Sequence, residues 1–193
     1  VIGDTQPEGI CGSGVIDSIA QLLINTKLDK SGKIIPDETN QSIVKDKKKF
    51  IYILNDDETK VYISEIDIEN IMRAKAAIFA ATTLLLDHIG ITMDEIKKIY
   101  IAGGFGKYVN IENAITLGMF PDVSRDIYEY IGNASLKGTG LLLQSEKYRT
   151  LQKEIRNKAT YIDLSSDSTY MDHYTSALFF PHTDDTLFPS IKI

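Results

Sequence analysis

Apolar positions recur along this chain in two rhythms. In VIDSIAQLL, Val15, Ile19, Leu22 and Leu23 fall three and four residues apart, the spacing that lines one face of a helix, and the stretch TQPEGICGSG precedes them. A short extended piece at Val1–Ile2 makes the opening read as strand, glycine-rich loop, helix. KKFIYILNDDETKVYISE has the other rhythm, two β-rich runs about an acidic turn, which predicts a hairpin near 46–64 decorating the core as an edge.

A long helix is predicted over EIDIENIMRAKAAIFAATTLLLDHIG, opened by Ser64 or Asp67 and closed by Gly90. Being apolar on most sides, it is expected to be buried. Thr92 and Glu95 have capping-box spacing for a short helix that leads into the strand KIYIA, and that strand ends on Gly103 and Gly104. Asn110 can cap IENAITLG, which Gly118 ends. MFPDVSRDIYEYIGN reads as a connection, ASLKGTGLLLQ as a second buried helix, and SEKYRTLQKEIRNKA as an amphipathic outer helix. TYIDLS then reads as a strand and STYMDHYTSALFFPH as a last helix stopped by Pro181. The alternation predicts an α/β layered fold over 1–193, one subdomain, with ligands near the carboxyl ends of its strands. Both glycine clusters fall at such ends.

Composition narrows the function more than the fold. With 193 residues, 43% apolar and 25% charged, the chain can bury a core of its own. A formal charge of −6 argues against nucleic acid as a partner, and the run Lys45 to Lys49, lying beside acidic residues, reads as a solvated loop. The single cysteine, Cys11, can build neither a disulfide framework nor a cysteine-ligated cluster from this chain alone, which points to a cytoplasmic setting. No apolar run reaches membrane-spanning length and nothing reads as a signal peptide, so no membrane is expected as a partner. The start, VIGDTQPEG, lacks an initiator methionine and begins as if in mid-strand, so the chain is expected to be a piece of something longer.

The glycines fail the common phosphate and nucleophile motifs. A Walker loop counted back from Gly106 and Lys107 would need its first glycine at Ile101, and Lys107 is followed by Tyr108. A dinucleotide fingerprint starting at Gly104 and Gly106 would need a third glycine at Val109. A hydrolase elbow at Ser13 would need glycines at Cys11 and Val15. His88, His173 and His182 have no ligand spacing, and no metal site is predicted. What remains is a strand, two adjacent glycines and a following helix whose first N–H groups are unpaired. This arrangement suits a flat or anionic ligand lying on main chain, and equally a sharp turn with close helix packing.

IYIAGGFG is similar to the adenosine motif of the superfamily that holds acetate and sugar kinases, Hsp70 chaperones and actin. More narrowly, GICGSGVIDSIAQLL, AGGFGKYVNIENAITLGMFPD, IGNASLKG and ALFFPH together resemble the C-terminal part of the ATP-dependent reductive activators of corrinoid proteins, in blocks that run from Gly9 to His182. The resemblance implies an actin-like, ribonuclease H-like half, a mixed sheet flanked by helices that holds one side of a nucleotide. It implies that Gly103 and Gly104 let adenine and ribose approach the backbone, with Phe105 and Gly106 completing the loop and Phe105 packing rather than stacking. NIMRAKAAIF resembles the chaperone helix that lines the adenine pocket, which would place Lys75 and Arg73 near base or ribose; an ordinary surface position for both stays open. Gly12, Ser13 and Gly14 lie where related dehydratase activators carry a Gly-Thr-Gly turn, so they would meet ribose or terminal phosphate. Cys11 does not coincide with the cluster-ligating cysteine of those activators and reads as a small buried residue.

One departure concerns the phosphates. The superfamily's two Asp-Gly hairpins, which bind Mg²⁺ and the β- and γ-phosphates, have no counterpart here, since IGDTQ holds Asp4 in a different order. The chain alone is therefore expected to be a poor ATPase. The resemblance implies ATP with Mg²⁺ and a 2Fe–2S cluster in a domain outside this chain, used to return Co(II) to Co(I) in a corrinoid protein partner; a homodimer is compatible with it. Two other readings stay open: a lobe of a sugar or acid kinase, and a non-catalytic docking lobe.

Overall fold

The computed structural model describes residues 5–55 and 59–193, the side chains of Phe105 and Ser165 excepted. The predicted strand at Val1–Ile2 and the hairpin's acidic turn at 56–58 lie outside the described residues. Helix α1 (Gly12–Ile24) forms where the three-and-four spacing places it and buries Ile16, Ile19, Ala20, Leu22 and Leu23. Each such buried isoleucine or leucine is worth roughly 2 kcal/mol of transfer free energy.

The hairpin is the larger part of a three-stranded antiparallel sheet. Strand β1 (Ile43–Asp46) pairs with β2 (Lys49–Asn55), and β2 pairs with β3 (Val61–Ser64), in the order β1-β2-β3. Two expectations change here. Lys45 to Lys49 is not simply a solvated loop: Asp46 faces Lys49 across a tight turn in which Lys47 takes a positive φ of 55°. Nor does the hairpin decorate an edge, because the alternation of β3 points Val61 and Ile63 inward and Tyr62 outward. Ile63 joins α1 in the first core, with Ile43, Phe50 and Tyr52 packed against it.

Helix α2 (Glu65–Ile89) starts at Ser64, whose hydroxyl accepts from Asp67 N while the Asp67 carboxylate accepts from Ser64 N at 2.9 Å. This capping box satisfies two amides that the first turn leaves unpaired. Gly90 closes the helix at φ 68°. Only one stripe of α2 is buried, through Ile68, Met72, Lys75, Ala76, Phe79, Ala80 and Leu84, while Ile66, Ile78, Leu85 and Ile89 are exposed. The burial expected on most sides is therefore restricted to that stripe.

Strand β4 (Ile99–Ala102) runs parallel to β5 (Tyr128–Gly132), and β5 occupies part of the predicted connection. Ile99 and Ile101 pack against a second core made of Ala76, Phe79, Ile115, Tyr128, Ala177 and Phe188. Between the strands lie α3 (Gly103–Gly106) and α4 (Ile111–Thr116), the latter capped by Asn110, whose side chain accepts from Asn113 N. After β5 come α5 (Ala134–Gln144) and α6 (Glu146–Lys158). The expectation that α5 is buried fails in this chain, since neither helix buries a residue among those described. TYIDLS is not a strand but an open stretch with a 3-10 turn at Leu164–Ser166, and the last helix, α7 (Tyr170–Ser176), ends before Pro181. Helix α7 packs along α2.

Candidate functional site

The two parallel strands end side by side, Ala102 opposite Gly132. At each end a glycine takes a positive φ, 93° at Gly103 and 68° at Gly132, a conformation that costs any other residue a strained backbone. Each glycine then turns the chain into a helix. Asn133 caps α5 by accepting from Leu136 N at 2.9 Å, and Lys137 Nζ donates to the Ile131 carbonyl at 2.8 Å. IGNASLKG holds Gly132, Asn133 and Lys137, yet none of the three is among the site residues that the sequence predicts. The signal lay in IGN before a helix, the same glycine-then-helix grammar that drew attention to Gly103.

The three glycines after β4 differ in what a side chain would meet. At Gly103 and Gly104 a β-carbon would find, beyond the adjoining residues, no atom of the described residues within 4 Å. At Gly106 it would lie 2.4 Å from Ile101 Cγ2, so that glycine lets the loop close onto its own strand. Among the described residues, Gly103 and Gly104 thus form main chain with an open outer side, at the carboxyl end of a parallel strand, where ligands of open α/β sheets bind.

The other glycine turn opens α1, which packs against α4. Ser13 is half-buried and Gly12 exposed at the start of α1; Asn113 Nδ2, on α4, donates to Asp17 Oδ1 on α1 at 2.7 Å. Gly14 packs against Ile10, where a β-carbon would approach to 2.9 Å. Cys11 is exposed, not buried as expected, because it stands at the helix cap rather than on the inward face. Its thiol lies 3.3 Å from the Ser13 hydroxyl, and that hydrogen bond lowers its pKa.

Arg73 is exposed on α2, and its guanidinium donates to Glu69 at 2.5 Å. Lys75 is fully enclosed instead of facing a cleft. Its Nζ donates to the Phe179 carbonyl and, at 2.5 Å, to the Pro181 carbonyl, and it stands 5.7 Å over the Phe180 ring. The neighbouring His182 ring tilts against Phe79 with centroids 5.3 Å apart and accepts from Asp184 N on Nδ1; burial, then the Lys75 charge, lower its pKa. Among the described residues no carboxylate pairs with Lys75 in this enclosure, and burial pushes its pKa down from 10.5 to about 7. A neutral amine has two N–H donors, one for each carbonyl.

A pH dependence of known sign follows. Between about pH 7 and 10.5 the unfolded chain holds the Lys75 proton more tightly than the folded one, so stability rises with pH across that window. Below about pH 7 both states are protonated and the full cost of the buried charge is carried. The urea midpoint of the wild type should therefore climb from pH 7 to pH 9.5 more steeply than that of Lys75→Met. Parallel slopes for the two proteins would show that the amine does not titrate in this way.

The layered fold, with this glycine edge at the ends of its parallel strands, defines an α/β lobe of the kinase, chaperone and actin type. The chain belongs to the family described as the C-terminal domain of RACo, the ASKHA domain, which matches residues 1–192. It is 30% identical over 186 residues to the corrinoid activation enzyme RamQ of Eubacterium limosum, covering 90% of this chain and 31% of that protein. It is 27% identical over 172 residues to a Co(II) methylated amine-specific corrinoid protein reductase of Methanosarcina barkeri, covering 88% and 29%. The solved structure of a reductive activator for corrinoid, iron–sulfur protein superposes with a TM-score of 0.85 at 43% identity, over 94% of this chain and 30% of that one. The chain thus spans about a third of the length of these relatives.

Proposed function

We propose that this chain is the adenosine-side lobe of an ATP-binding domain in a larger activator, which couples ATP binding and hydrolysis to the reduction of Co(II) to Co(I) in a corrinoid protein. The observation that carries this reading is the open main chain at Gly103 and Gly104, found in a domain of this family. Gly103 and Gly104 would take the nucleoside. Gly12, Ser13 and Gly14, at the start of α1, would lie toward ribose or phosphate, with exposed Arg73 free to turn toward the same ligand once it leaves Glu69. Lys75 enters the proposal indirectly, as the group that holds the 179–181 carbonyls. Phe105 and Gly106 shape the loop.

Bound ATP supplies a difference in affinity between two states of the cleft, and a ligand can shift such an equilibrium only by that difference. The lobe's share is to accept the nucleoside on unobstructed main chain without first moving side chains. Among the described residues no group of three or more His, Cys, Asp or Glu could hold a metal ion, and Mg²⁺ would be bound chiefly through the phosphates of ATP. With one cysteine in the chain, the iron–sulfur cluster would be carried by another domain of the intact protein. No helix among the described residues is long and apolar enough to cross a membrane.

The test uses the intact protein, its corrinoid partner and a low-potential electron donor, with the cobalt state followed by absorbance. The Co(I) spectrum should appear with ATP and stay absent without it. Phosphate transfer to a small alcohol or carboxylate, with no ATP-dependent change at cobalt, would instead make the chain a kinase lobe.

A further inference from the structure

Helices α5 and α6 form a hairpin that leaves its apolar side uncovered. Between them runs a groove of about 310 Å³ lined by Gly138, Leu141, Leu142, Tyr148, Leu151 and Ile155, with Gln152 beside them. Tyr148, Leu151 and Ile155 recur three and four apart, the stripe by which an amphipathic helix normally enters a core, yet they are 40%, 44% and 60% exposed. Arg149 fixes the pair by donating from Nε to the Leu142 carbonyl at 2.7 Å, so the groove is a built feature of the hairpin.

The charge around the groove runs against that of the chain. Residues 134–158 hold six cations, Lys137, Lys147, Arg149, Lys153, Arg156 and Lys158, against two carboxylates, Glu146 and Glu154, while the whole chain carries −6. At 100° per residue, Lys147 and Lys158 flank Leu151 on one side of the stripe, with Glu154 behind Lys147, and Arg156 stands beyond Tyr148 on the other. A concave apolar floor with a basic rim fits an amphipathic helix whose own flanks are acidic. A second copy of the same hairpin would bring like charges together. A lipid surface calls for a convex apolar face, and this one is a trough between two helices.

We propose that the α5–α6 groove docks an acidic, leucine-bearing helix of the corrinoid protein; this rests on the proposed function. A small apolar floor ringed by charge suits the contact this chemistry requires, one that forms fast by electrostatic steering and releases after each reduction. The groove is lined by residues from Gly138 onward, whereas the glycine edge meets α5 only at its start, so partner and nucleotide could be held together.

Lys147→Glu and Leu151→Gln, separately and together, test this in the intact protein. Both side chains are exposed, glutamine is a good helix former, and a glutamate in the first turn of α6 complements the helix dipole, so folding should be retained. The double variant should bind the corrinoid protein at least tenfold more weakly by calorimetry, with reduced salt dependence and with ATP affinity unchanged. Equal affinity in wild type and double variant would overturn the docking proposal while leaving the proposed function standing. So would self-association lost in the variant, or binding to phosphatidylglycerol vesicles that only the wild type shows while corrinoid-protein affinity stays the same. No affinity of the wild type for the corrinoid protein, with or without ATP, would overturn both.

Discussion

Gly118→Ala is expected to destabilise the protein by roughly 3 kcal/mol or more, read as a lowered urea midpoint with an unchanged slope. Two costs coincide at this position. Gly118 ends α4 at φ 72°, where a β-carbon strains the backbone by roughly 1 kcal/mol. That β-carbon would also lie 2.0 Å from the Pro181 carbonyl oxygen and 2.7 Å from its carbon, both main-chain atoms that cannot turn aside as a side-chain tip can. Pro181 cannot retreat freely, because its oxygen also accepts from Lys75 Nζ. Displacing it would leave a buried amine short of a partner, which costs roughly 1–3 kcal/mol more. The two sites therefore share one carbonyl, and Gly118→Ala combined with Lys75→Met should cost less than the sum of the two alone. Strict additivity would mean that the clash is absorbed somewhere else.

This shared carbonyl also gives the sequence blocks a physical content. GMFPD and ALFFPH stand about 60 residues apart, yet Gly118 from the first presses on Pro181 from the second, while RAKAA supplies the lysine that holds it. Local chemistry was readable beforehand: the Thr92–Glu95 capping box, the Gly90 and Gly118 ends and the Asn110 cap each depend on a few neighbouring residues. Long-range geometry was not. YEYIG becomes a strand because β4 is there to pair with it, and five residues after a Pro-Asp-Val-Ser stretch carry too little alternation to announce that. The apolarity of α5 showed a helix but not what would cover it. Lys75 read as a charge near a ligand because nothing in RAKAA shows that two carbonyls, at Phe179 and Pro181, will close over it. For the glycine edge the position after a strand was legible, while the distinction between Gly104 and Gly106 required knowing where Ile101 points.

That distinction sets the second large effect. Gly104→Val in the intact protein should lower ATP affinity at least tenfold by titration calorimetry, with a melting temperature close to that of the wild type. Among Gly103, Gly104 and Gly106, only Gly104 gives a clean test. A side chain at Gly103 would be strained at φ 93° whatever lay outside, and one at Gly106 would collide with Ile101. At Gly104, apart from its immediate neighbours, no described residue comes within 4 Å of the missing β-carbon, so the valine has room among them in the free protein. Any loss must then come from what approaches from outside, and a tenfold loss is about 1.4 kcal/mol, the scale of a few displaced van der Waals contacts and one shifted hydrogen bond. Unchanged affinity together with an unchanged melting temperature would mean that the glycine serves only the turn into α3, and that the nucleoside rests on some other part of the intact protein.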